Sequence, residues 1–204
     1  MDARQTTRVD LPMPTLVLAS TSTYRQQLLA RLQVPFRCER PGVDEDAVKR
    51  AGGTPLAIVQ QLARAKALAV AGRCPDALVV GSDQAAVVDG TILDKPGTVA
   101  AAHGQLRRLA GRSHTLLTAV AVAHPHGCVE FVDTTTLAMR PLHDAEIERY
   151  VAKDQPLDCA GSYKIESLGI TLFDRIDSGD HTAIVGLPLL ALASVLRELG
   201  LALP

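Results

Sequence analysis

The sequence predicts a mixed α/β (α+β) fold. Helical periodicities alternate with short β-branched runs along the chain. Two long strand-like runs, about Thr115–Ala123 and Val129–Met139, are joined directly at Pro125-His126-Gly127, and Asp89-Gly90 is a second hairpin signal. Tight antiparallel pairs in mid-chain fit a mixed sheet better than a doubly wound parallel one.

Thr15–Ala19 opens the chain's structure as an apolar strand, and Gln26 to Leu32 follows as a helix with Leu28, Leu29 and Leu32 on one face. Thr54-Pro55 is a cap followed by proline at the first helical position. It starts a helix to about Gly72, with Ile58, Leu62, Ala65 and Ala69 predicted inward. Ala77–Val80 and Ala85–Val88 are strand-like, with Gly81-Ser82-Asp83-Gln84 between them. Thr98 caps a helix through Leu109, which Gly111 ends. After the two long strands, Asp144–Val151 is a helix with Ile147, Tyr150 and Val151 inward. Ile170–Phe173 reads as a strand, and Leu187–Leu199 as an apolar helix ended by Gly200. The total is about five helices and six or seven strands. Residues 1–13 mix charge and proline and read as a loose N-terminal extension; 14–204 read as one domain.

Composition narrows the function. A net charge of −1 argues against a general nucleic-acid binder, and the apolar runs are too short and interrupted for a membrane span. Cys38, Cys74, Cys128 and Cys159 are scattered, which fits neither a zinc site nor a disulfide framework. With no export signal, they point to a reducing cytoplasm. His124 and His126 flank Pro125 at a hairpin tip and read as a surface turn.

Five polar clusters are predicted at element ends. In Ser20-Thr21-Ser22-Thr23-Tyr24-Arg25, hydroxyls and an arginine sit where a strand gives way to a helix. They can cap that helix or bind a phosphate. Val43-Asp44-Glu45-Asp46 reads as an acidic loop, a solvated charge run when taken alone. Lys66 lies among alanines, small enough to let a helix pack closely while the ammonium reaches a cleft. Asp83 follows a buried β-branched run, where a carboxylate needs a partner, a metal or a solvated cleft. Lys95-Pro96 follows the hairpin and can point back at the same mouth. The fifth, Cys159 to Gly169, is a flexible loop or a ligand-binding one. Together these supply carboxylates for a divalent metal and cations for phosphates. The residues alone lead to a metal-assisted site for a phosphate-bearing small molecule.

At these residues the chain resembles the Maf family of nucleoside triphosphate pyrophosphatases. The matching pieces are Ser20-x-Ser22-x-x-Arg25-x-x-Leu28-Leu29, Val43-Asp44-Glu45, Ala65-Lys66-Ala67, Gly81-Ser82-Asp83-Gln84, Lys95-Pro96 and Gly161-Ser162-Tyr163-Lys164, in family order. Tyr24, Gln84 and the Cys-Ala-Gly-Ser-Tyr-Lys run with Glu166 are similar to the YceF type, associated with 7-methyl-GTP. The resemblance implies an elongated mixed sheet with flanking helices and a deep cleft between two lobes, similar to the inosine triphosphate pyrophosphatase fold. It implies hydrolysis of the α–β phosphate bond, with Asp83 as proton acceptor and Glu45 and Asp83 on a divalent cation (Mg²⁺, Mn²⁺ or Co²⁺). Ser20, Ser22, Arg25, Lys66, Lys95 and Lys164 fall to the phosphates, and Tyr24, Gln84 and Glu166 to base choice. A homodimer is a family expectation. An aromatic at Tyr24 suits a cationic methylated guanine. An aspartate bound to a metal has a lowered pKa and is a poor base, which leaves two expectations for Asp83, as base or mainly as ligand and water-orienter. The competing expectations are a dTTP/UTP pyrophosphatase and a nucleotide-binding regulator of cell division with incidental hydrolysis.

Overall fold

A computed structural model describes residues 14–204; the predicted extension over 1–13 lies outside the described residues. In chain order the elements are β1 (Leu16–Leu18), α1 (Thr23–Ala30), β2 (Phe36–Cys38), α2 (Glu45–Ala51), α3 (Pro55–Ala71), β3 (Leu78–Val88), β4 (Thr91–Leu93), α4 (Val99–Leu109), β5 (Ser113–His124), β6 (Gly127–Met139), α5 (Asp144–Asp154), β7 (Phe173–Asp177), α6 (His181–Val185) and α7 (Leu189–Glu198). The strands form one mixed sheet in the order β2-β1-β3-β5-β6-β7, with β4 also paired to β3. β1 runs parallel to β2 and β3, and the other pairs are antiparallel.

The sheet splits along one side of β3. Leu78–Val80 pair with β1, and Ala86–Val88 pair with β4. Between these stretches, residues 81–85 keep their β5 partners on the other side, while among the described residues neither β1 nor β4 pairs with them. The chain leaves β1 at Ser20 to start α1, so the edge of Gly81–Ala85 opens into a cleft. Gly81-Ser82-Asp83-Gln84 therefore lies inside one continuous eleven-residue strand, not between two strands as predicted.

Three apolar clusters hold the sheet. α1 and α7 cover one face of β1, β3 and β5 through Leu28, Leu29, Leu192 and Leu196. α3 covers the other through Val59, Ala63, Ala67 and Val70, against Val79, Ala119, Ala121 and Ala123. The small side chains on both surfaces let helix and sheet approach closely. Ile58 and Leu62 are buried as predicted, but Ala65 and Ala69 are only half-buried, and the inward face carries Val59, Ala63, Lys66, Ala67 and Val70. With alanine on every side of the helix, apolar periodicity cannot fix which face turns inward. The third cluster joins α4, α5 and the far halves of β3, β5 and β6 into a second lobe. In it His114 is buried, with Nε2 3.0 Å from the Tyr163 hydroxyl and Nδ1 without a hydrogen-bond partner. Burial pushes its pKa down to about 4, so the ring is neutral at pH 7.

Other boundaries also differ from expectation. Leu168–Leu172 is a 3₁₀ turn, and the strand begins at Phe173 rather than at Ile170. The turn packs on the Lys164 backbone, where a Cβ at Gly169 would lie 2.4 Å from the Lys164 carbonyl oxygen, and the Thr171 and Leu172 carbonyls accept from Arg140. The acidic stretch read as a loop is the start of α2. Asp44 caps it, acids occupy its first turn and Lys49 and Arg50 its last. The Asp89-Gly90 hairpin is as expected, with both residues at positive φ. All four cysteines are free. Among the described residues, no helix is long and apolar enough to cross a membrane.

Candidate active site

The split in the sheet opens into a cleft of about 680 Å³ between the two lobes. Ser20, Ser22, Tyr24 and Arg25 reach it from the β1–α1 junction, Glu45 from α2, Lys66 from α3, Asp83 and Gln84 from β3, and Lys95 and Glu166 from loops of the second lobe.

Along β3, side chains alternate between faces. Gly81 and Asp83 turn toward α3, whereas Ser82 and Gln84 turn toward α6. A Cβ at Gly81 would meet the Ala63 carbonyl oxygen at 2.3 Å and the Ala67 nitrogen at 2.6 Å. Only glycine admits the α3 backbone so near the strand. Lys66, between those two alanines, is thereby brought onto Asp83, with Nζ 2.6 Å from Oδ1. The same ammonium lies 2.8 Å from Glu45 Oε1. Lys66 and Asp83 are buried, and Glu45 is half-exposed at the cleft wall. Burial pushes the Glu45 carboxyl up, but the ammonium groups of Lys66, Lys49 and Lys95 outweigh that and hold it below the usual carboxylate range.

The α6 side is a scaffold of backbone carbonyls. Arg25 Nε and Ser82 Oγ both donate to the Gly186 carbonyl, each at 3.0 Å. Burial lowers the Arg25 pKa, opposed by the charges of Asp83 and Glu45, and among the described residues its side-chain hydrogen bond runs through Nε. Gln84 Nε2 shares its two N–H groups among Thr118 Oγ1 and the Ala183 and Ile184 carbonyls, and among the described residues its amide oxygen has no hydrogen-bond partner. Asp180 fixes α6, accepting from the Thr182 and Leu190 backbone nitrogens. Ser22 caps α1 only weakly, since the Arg25 nitrogen lies 3.5 Å from its Oγ; Ser20 Oγ accepts from the Ser22 nitrogen at 3.1 Å.

Lys164 is placed differently from the other expected phosphate ligands. Its ammonium lies beside the Tyr24 hydroxyl and 3.6 Å from Asp158. Burial, reinforced by Cys159, raises the Tyr24 pKa despite Lys164, so the phenol is neutral at pH 7. Lys49 and Asp94 also line the cleft and were missed in the sequence. The signal for Lys49 was its spacing four residues after Glu45, visible only once α2 is a helix.

Glu45 and Asp83, the carboxylates expected to hold a cation, both line the cleft, which Asp46, Asp94, Asp158 and Glu166 line as well. Among the described residues, no group of three or more His, Cys, Asp or Glu is arranged to hold a metal alone. The oxygens that converge, Glu45 Oε1 and Asp83 Oδ1, meet on the Lys66 ammonium, so a cation would fall to the other oxygen of each carboxylate; hard oxygen donors of this type suit a magnesium-like ion whose shell phosphates complete.

The model of Maf-like proteins matches residues 15–199. The 7-methyl-GTP pyrophosphatase of Xanthomonas campestris pv. campestris is 52% identical over 193 residues, covering 94% of this chain and all of that one. The protein of the same name from Aromatoleum aromaticum is 53% identical, covering 93% of this chain and 97% of that one. Among solved structures, a nucleoside-triphosphatase (dITP/XTP pyrophosphatase) from Mycobacterium abscessus aligns with a TM-score of 0.46 and 16% identity, over 91% of this chain and 96% of that one.

Proposed function

The chain belongs to the family of Maf-like proteins, and from that premise we propose that it hydrolyses 7-methyl-GTP to 7-methyl-GMP and pyrophosphate. One observation carries the reading: a buried ammonium, Lys66, binds two carboxylates, Asp83 and Glu45, where the sheet opens into a nucleotide-sized cleft. Burying the Lys66–Asp83 pair is costly, and chemistry at the cleft accounts for it better than stability does.

Lys66 fixes Asp83 through Oδ1, which leaves Oδ2 to hold a water and take up its proton as the water oxygen attacks the α-phosphorus. The bond from that phosphorus to the bridging oxygen breaks, and pyrophosphate leaves with the electron pair. Arg25, anchored at Nε, presents its outer nitrogens to the phosphates, and Lys95 adds a second cation. A divalent cation on Glu45 and Asp83 would neutralise charge on the phosphoryl oxygens. Ser20 and Ser22 stand at the same strand–helix junction to donate hydroxyls.

The base lies toward Tyr24, Gln84 and Glu166 in this reading. The neutral Tyr24 ring offers a π face to a cationic methylated purine. The Gln84 amide oxygen and the Glu166 carboxylate accept from its N–H edge. The position of Lys164, beside Tyr24 and Asp158, supports a role in holding Tyr24 as much as in binding phosphate. A cytoplasmic location in the nucleotide pool belongs to the same proposal.

The test is pyrophosphate release from 7-methyl-GTP, GTP, dTTP, UTP and CTP with Mg²⁺ or Mn²⁺. Preference for 7-methyl-GTP is expected. Pyrimidine preference would overturn the base assignment, and binding without turnover would favour a nucleotide-binding regulator.

A further inference from the structure

We propose that Lys49 is a further phosphate-binding residue of this cleft, parked on Asp94 until a triphosphate displaces it; the proposal rests on the nucleotide-hydrolase reading above. It begins with a count of donors. An ammonium has three N–H groups, and two of those on Lys66 are engaged by Asp83 and Glu45 in a buried setting. Arg25 spends its Nε on Gly186. Lys66 is thus largely neutralised, and a substrate carrying three linked phosphates needs cations from elsewhere.

Lys49 is placed to supply one. It lies one helical turn after Glu45, lines the same cleft, and keeps a third of its side chain exposed. Its ammonium is 2.5 Å from Asp94 Oδ1 on the opposite lobe, next to Lys95. The Asp94 backbone is pinned, because its carbonyl accepts from Gln105 Nε2 at 2.7 Å and Gln105 in turn accepts from Ser162 Oγ. Its carboxylate, by contrast, is largely exposed. Burial lowers the Lys49 pKa, but Asp94, Asp83 and Glu45 together raise it, so the ammonium is charged when substrate arrives.

The two ion pairs differ in how readily they yield. Lys66–Asp83 is buried, and separating it would strand a charge. Lys49–Asp94 is a solvated pair, worth at most about fivefold in an equilibrium constant. A phosphate, with more charge and more acceptor oxygens than one carboxylate, wins that exchange.

Calorimetric titration of inorganic pyrophosphate, together with kcat and KM for 7-methyl-GTP, tests this on wild type, Lys49→Ala, Lys49→Arg and Asp94→Asn. Lys49→Ala should weaken pyrophosphate binding about tenfold and raise KM more than it lowers kcat, and Lys49→Arg should restore most of both. Asp94→Asn removes the competitor and should tighten pyrophosphate binding by about two- to fivefold. Equal weakening in Lys49→Ala and Asp94→Asn, with matching falls in Tm, would make the pair a structural clasp and overturn the proposal. Unaltered pyrophosphate binding in Lys49→Ala, with wild type active, would overturn the proposal alone. A wild type that neither binds pyrophosphate nor turns over any nucleotide would overturn the functional reading as well.

Discussion

Replacing Gly81 by alanine should damage both fold and activity through a single contact. The added Cβ would lie 2.3 Å from the Ala63 oxygen and 2.6 Å from the Ala67 nitrogen, where ordinary contacts begin at 3.4 Å. Both atoms are helix backbone, so no side chain can swing away, and α3 must retreat by roughly 1 Å. Overpacking of this kind costs about 2–3 kcal/mol. In a chain of this size that lowers Tm by roughly 5–10 °C. Lys66 rides on the same turns of α3, so its 2.6 Å bond to Asp83 stretches with the helix. Misplacement of about 1 Å at a reacting centre can cost on the order of 100-fold in rate. Thermal unfolding and kcat for pyrophosphate release measure the two effects. Gly104→Ala in α4 is the control: its Cβ meets nothing within 4 Å, and it should stabilise by up to about 1 kcal/mol. A Gly81→Ala protein with wild-type Tm and with kcat within twofold of wild type would refute the close-approach argument.

Asp83→Asn should lower turnover by about 10²–10⁴-fold and also weaken Mn²⁺ binding in a calorimetric titration, since the same carboxylate serves water and cation. Tyr24→Leu should reduce the preference for 7-methyl-GTP over GTP, measured as a ratio of kcat/KM, by roughly 3- to 30-fold. His114 gives a pH signature. Its folded pKa, about 4, is below the usual 6.5, so the unfolded chain binds the extra proton first. Its contribution is fully present above pH 6.5 and is lost as pH falls toward 4, amounting to about 3 kcal/mol. Urea unfolding at pH 7 and pH 4.5 should show a smaller difference in His114→Gln than in wild type.

What was legible in the sequence was what local chemistry determines. Thr54-Pro55 and Thr98 cap the helices they announced, Asp89-Gly90 turns the hairpin, and the β5–β6 pair stands nearly where alternation put it. Helix α2 was missed because it buries no residue and so has no apolar stripe; its only signal is the Asp44 cap with acids before bases. The inward face of α3 was misread because alanine marks no side, and the deciding contact, with Gly81, is a tertiary one. Ile170–Thr171 form a 3₁₀ turn despite their β-branched side chains, and Arg140, about 30 residues away, donates to the Thr171 and Leu172 carbonyls. The site residues were found as types and clusters, but their pairing was not. Lys66 and Asp83 are 17 residues apart; Lys49 and Asp94, 45 apart, were not found at all. Only the split beside β3 explains why the first pair faces a cleft.

The most direct test of the central claim is to run the reaction of 7-methyl-GTP in ¹⁸O-labelled water and follow the products by phosphorus NMR and mass spectrometry. Attack of an Asp83-held water on the α-phosphorus predicts 7-methyl-GMP carrying one ¹⁸O, with unlabelled pyrophosphate. Release of orthophosphate with a nucleoside diphosphate, or label in the pyrophosphate, would contradict it.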